Sequence, residues 1–186
     1  MIGELPSALE VCGKRYGINA DYRNILRIID AMNDERLTDR SKLLVCVRRL
    51  YTEPVPQEYL FEAYKKAKWF IDGGSAGNAG RKESVRLVDF EQDEPMLFAA
   101  LNSAAREETR ALPFMHWWTF LGLYISLPPD SLFARVVQIR SKLAKKKKLE
   151  KWEDEFYRAN KELIDLKRLY SPEQQAEVDR LNEILG

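Results

Sequence analysis

Phe114-Met115-His116-Trp117-Trp118-Thr119-Phe120-Leu121-Gly122-Leu123-Tyr124-Ile125-Ser126-Leu127 decides how this chain is read. It lies in a run free of charge from Ala111 to Pro129, in a chain that is 32% charged. It holds the only histidine and two of the four tryptophans. So much aromatic surface must leave water, in a core, against a partner or in a membrane. A membrane span needs about 20 apolar residues. This stretch is shorter, contains His116, Thr119 and Ser126, and is bracketed by Pro113, Pro128 and Pro129. It therefore reads as a buried helix opened by Pro113. Adjacent helical positions diverge by about 100°, so one narrow face cannot bury both Trp117 and Trp118. One ring, with Phe114 and Leu121 at helical spacing, belongs to the core. The other needs a second surface, in the same domain or on a partner.

Outward from this helix, 186 residues suit a single domain with a sizeable core. The 30 basic and 29 acidic residues leave a net charge of +1, which argues against a dedicated nucleic-acid binder. Cys12 and Cys46 read as two buried thiols in a reducing cytoplasm. The start of the chain has neither the basic head nor the apolar run of a secretory signal.

Residues 8–18 predict a β-hairpin around a Gly13-Lys14 turn. Apolar residues at helical spacing predict helices over about 20–33, 39–51, 56–72, 94–108 and 130–140, besides the aromatic one. Residues 73–80, with four of the nine glycines, read as a flexible connector. The alternation from Ser84 to Glu91 suggests a third short strand. Leu149, Trp152, Phe156, Ala159, Leu163, Leu166 and Tyr170 step by three and four, a heptad seam. Ser171-Pro172-Glu173-Gln174 is a capping box before a last helix with Val178, Leu181 and Leu185. The expected fold is mostly α, with residues 1–141 a helical core domain carrying the hairpin. Residues 142–186 form a C-terminal helical hairpin packed on that core. A seam paired with a second copy makes a homo-oligomer; a seam covered by the chain's own helices does not.

No pattern points to catalysis. One histidine and two scattered cysteines cannot supply a zinc site of ordinary spacing. No nucleophile elbow accompanies His116. Gly80 is followed by Arg81-Lys82-Glu83, so the glycine-rich stretch is no phosphate loop. Neither an enzyme nor a cofactor or metal is expected. Lys145 to Lys148 circle a helix axis instead of forming one basic face, and no aromatic interleaves them. They read as a solvated end or hinge, with nucleic-acid binding over 135–151 as the minority alternative.

Several pieces together resemble the bacteriophage gene-product-fifteen family. They are Gly13-Lys14-Arg15-Tyr16-Gly17-Ile18-Asn19-Ala20-Asp21-Tyr22-Arg23, Asp89-Phe90-Glu91-Gln92-Asp93, His116-Trp117-Trp118-Thr119-Phe120 and Ile139-Arg140-Ser141, followed by the charged C-terminal helix. The histidine–tryptophan–tryptophan piece is the most specific; Thr119 stands where the family usually has lysine. The resemblance implies a phage or prophage tail-region protein without enzymatic activity or cofactor. Proteins encoded beside the tape measure gene commonly act as tail assembly chaperones. The implied role is to hold the tape measure protein, or another tail protein, in the cytoplasm of the bacterial host. The alternative is a minor connector protein retained in the tail. Candidate partner contacts are His116, Trp117, Trp118, Trp152, Phe156, Leu163 and Leu166.

Overall fold

The computed structural model describes residues 3–75 and 85–167. Strands β1 (Ala8–Val11) and β2 (Lys14–Gly17) form the antiparallel hairpin, pairing Leu9 with Tyr16 and Val11 with Lys14. Its two-residue turn is Cys12-Gly13, at φ +48° and +80°. Two successive positive φ values are those of a type I′ turn, which matches the strand twist. The turn therefore lies one residue earlier than Gly13-Lys14, and Lys14 belongs to β2. That shift puts Cys12 at an exposed tip, so only Cys46 is a buried thiol.

Eight helices follow among the described residues: α1 (Tyr22–Asn33), α2 (Asp39–Leu50), α3 (Leu60–Ile71), α4 (Glu94–Ala105), α5 (Trp117–Ile125), α6 (Leu132–Ala144), α7 (Lys151–Ala159) and α8 (Lys161–Ile164). Polar side chains start most of them. Asp21, Thr38, His116 and Ser131 each accept a backbone N–H of the first turn. Such a cap satisfies one of the donors that a helix start leaves unpaired. Proline sits inside the first turn of α4, where no N–H is missed.

The core lies where the hairpin and helices α1 to α6 meet. Phe120 of α5 is its centre, stacked on Tyr22 of α1 at 4.8 Å and on Trp117 at 5.4 Å between ring centroids. Tyr124 and Phe133 carry the aromatic contacts on to α6. Ile25, Ile28, Leu50, Phe70, Leu97, Leu101 and Ile139 fill the surrounding space. No helix among the described residues is long and apolar enough to cross a membrane.

Three further sequence expectations change. Among the described residues there is no third strand: 85–89 runs without sheet pairing, and its polar groups bind side chains instead. The carbonyl of Leu87 accepts from Arg140, and the N–H of Asp89 donates to the carboxylate of Asp93. The aromatic helix begins at Trp117, not at Pro113, and Phe114 is exposed. The heptad seam is not one continuous helix. α7 ends at Asn160, whose amide side chain and backbone N–H both bond to the carbonyl of Phe156. α8 is one turn long, and the chain is extended at Asp165. Tyr170, the capping box at 171–174 and the last helix lie outside the described residues.

Lys145 to Lys148 terminate α6. Lys146 adopts φ +52°, its N–H reaches the carbonyl of Leu143, and the N–H of Lys147 reaches that of Lys142. This is a Schellman ending with lysine where glycine is usual. The cations sit at the negative end of the helix dipole, which favours them.

Candidate functional site

Two polar junctions hold the scaffold, and each is built from the motif pieces noted in the sequence. The first is His116-Trp117-Trp118. His116 Nδ1 accepts the backbone N–H of Trp118 at 3.0 Å, so the ring proton belongs to Nε2, which donates to the carbonyl of Pro6 at 3.0 Å. Both ring nitrogens are thereby committed, one to starting α5 and one to pinning the N-terminal segment. The indole N–H of Trp117 donates to the carbonyl of Ile71, and that of Trp118 to the carbonyl of Phe70, each at 2.9 Å. These are terminal carbonyls of α3, which have no partner within their own helix.

Gly73 and Gly74 complete that ending. Their N–H groups bond to the carbonyls of Phe70 and Trp69, at φ +70° and +79°. A Cβ on Gly74 would lie 2.9 Å from the Trp118 ring. Positive φ and close approach both select glycine there. The start of the glycine-rich stretch is thus a fixed helix cap; residues 76–80 lie outside the described ones. Trp118 finds its second surface on α3, stacked on Phe70 at 5.9 Å and edge-on to Trp69 at 5.7 Å. Thr119 is exposed on α5.

The second junction joins Asp93 at the head of α4 to Arg140 of α6, with side chains 0% and 4% exposed. The guanidinium grips both carboxylate oxygens, at 2.6 and 2.8 Å. Its remaining N–H groups donate to the carbonyls of Leu87, Leu163 and Ile164. All five donors are used, and the planar fork suits the bidentate contact. Beside it, Lys142 reaches buried Glu153 at 2.6 Å, and Glu153 also accepts the N–H of Glu150 to cap α7. Burial pushes the Glu153 carboxyl up, but the Lys142 ammonium and the Glu150 N–H outweigh it and hold it below its ordinary value. Burial pushes the Cys46 thiol up to about 12.

The seven nominated contact residues do not converge. His116 and Trp117 are buried in the α3–α5 junction, and Trp118 is half-buried there. Phe156, Leu163 and Leu166 are half-buried, while Ile164 takes the fully buried place beside them. Trp152 stands out, 45% exposed on α7. With Pro129, Asp130, Arg135 and Gln138 it lines a shallow concavity of about 490 Å³. Its indole N–H is satisfied by Glu150 at 3.0 Å, which leaves the ring face for apolar contact. Trp69, 38% exposed against Trp118, is an accessible aromatic that sequence reading passed over. Asp93 and Arg140 were passed over as a pair, although both stand in the quoted motif pieces.

The fold and its junctions define a helical protein with an N-terminal β-hairpin, in which the motif residues build the frame and a few aromatic rings stay accessible. Over residues 1–166 the chain matches the family described as Bacteriophage Gp15 protein, and it belongs to that family. No curated protein and no solved structure matches it.

Proposed function

We propose that this phage protein acts in tail morphogenesis, as an assembly chaperone that holds the tape measure protein in the host cytoplasm until the tail tube forms around it. Membership of the Bacteriophage Gp15 family supports the phage setting. The observation that carries the binding role is Trp152, an exposed ring on a helix whose start is fixed by buried Glu153 and Lys142. A large apolar side chain held on a rigid element loses little entropy when a partner covers it. Covering the remaining indole surface contributes roughly 2–3 kcal/mol. Contacts of that size, a few at a time, allow capture that is firm but reversible.

Mass spectrometry of purified particles tests the reading. A chaperone is present in the lysate and absent from finished tails. Recovery at a fixed copy number per particle would instead support a connector retained in the tail.

A further inference from the structure

Helix α2 carries Arg40, Lys42, Arg48 and Arg49 against one acid, Asp39. One side of it borders a groove of about 630 Å³, whose opposite wall runs from Thr52 to Leu60. Leu44, Val47, Val55 and Leu60 give the groove an apolar floor. Arg40 and Arg48 stand exposed at its rim. The one carboxylate in the lining, Glu53, is engaged by Lys14 at 3.2 Å. The groove thus offers greasy space between two cations two helical turns apart, about 12 Å along the α2 axis.

We propose that this groove docks an acidic amphipathic helix of a partner protein. Such a helix puts leucine-type side chains on the floor and sets carboxylates two turns apart against Arg40 and Arg48, the helix-in-groove mode of recognition. The charge pairs choose the partner's sign and orientation, while the apolar floor supplies most of the affinity. A nucleic acid would use the arginines and leave the floor empty. The groove is built by different elements from those around Trp152, so this proposal and the tape measure reading stand or fall separately.

The test uses the full chain and two fluorescein-labelled synthetic helices of roughly 16 residues with one leucine stripe. One carries glutamates two turns apart beside the stripe, the other lysines. By fluorescence anisotropy the glutamate peptide binds at micromolar levels, and the lysine peptide about tenfold more weakly or worse. The surface variant R40E/R48E reverses that preference. L44E removes binding of both peptides, and far-UV circular dichroism confirms that each variant is folded. The proposal is overturned if the glutamate peptide does not bind, if the two peptides bind equally, or if binding survives L44E. A DNA duplex that binds R40E/R48E-sensitively but L44E-insensitively would overturn it in favour of a nucleic-acid surface.

Discussion

Replacing Arg140 with methionine tests the junction on which the C-terminal part of the fold depends. The change keeps much of the side-chain volume but removes five N–H bonds: two to Asp93 and three to the carbonyls of Leu87, Leu163 and Ile164. It leaves the fully buried Asp93 carboxylate without its counter-charge, although Oδ2 still accepts the N–H of Asp89. Breaking one side of a buried pair costs about 3–5 kcal/mol. In a chain of this length that lowers Tm by roughly 6–20 °C. Urea unfolding followed by tryptophan fluorescence reads the change. The double variant R140M/D93N keeps the oxygen that caps Asp89 and removes the stranded charge. It recovers roughly 1–2 kcal/mol of the single variant's loss. A loss under about 1 kcal/mol for R140M, the size of a surface ion pair, would refute the reasoning. So would a double variant that is less stable than R140M.

Further expectations concern single features. Lys146→Gly relieves the positive φ at the end of α6 and raises stability by about 1 kcal/mol in the same urea assay. His116→Ala removes the cap of α5 and the tie to Pro6 and costs roughly 1–3 kcal/mol, whereas Thr119→Lys is neutral within about 0.5 kcal/mol. A thiol reagent at pH 8 labels Cys12 alone in the native chain and both cysteines in urea, because Cys46 is buried and its thiol is pushed up to about 12. The Glu153 carboxyl has its folded-state pKa held below the ordinary carboxylate value, so its contribution is present at neutral pH and lost as pH falls. The stability gap between the wild type and Glu153→Gln, read by thermal melts, therefore narrows as pH drops through the range where free glutamate and then Glu153 take up protons.

What the sequence makes legible is whatever rests on local pattern. The hairpin, the six helices from α1 to α6 and the inward placement of the aromatic run follow from periodicity, caps and prolines. Several misreadings share a cause: a distant side chain claims a backbone group. The seam breaks at Asn160, and α8 then ends where Arg140, more than twenty positions upstream, draws the carbonyls of Leu163 and Ile164 to itself. The 85–89 stretch alternates like a strand, yet the carbonyl of Leu87 accepts from the Arg140 side chain and the N–H of Asp89 donates to the Asp93 carboxylate. Trp117 and Trp118 look like a core residue and a leftover. Their indoles in fact close the C-terminal end of α3, which no local pattern announces. The turn shifted to Cys12-Gly13 because register follows pairing of the buried Leu9, Val11 and Tyr16, and Cys12 accepts the positive φ this demands. Of the candidate site, Trp152 was legible as a heptad position; that it faces outward was not, because the break at Asn160 and the Glu153–Lys142 contact set the rotation of α7.

The proposed function has this chain grip another protein through accessible apolar side chains. The most direct test of that proposal is the affinity of the purified full chain for a phage tape measure protein, measured for wild type and Trp152→Ala. The account predicts micromolar or tighter capture by the wild type and at least about tenfold weaker capture by a variant whose melting temperature is unchanged. Absence of binding at micromolar concentrations, or equal binding by both proteins, would contradict it.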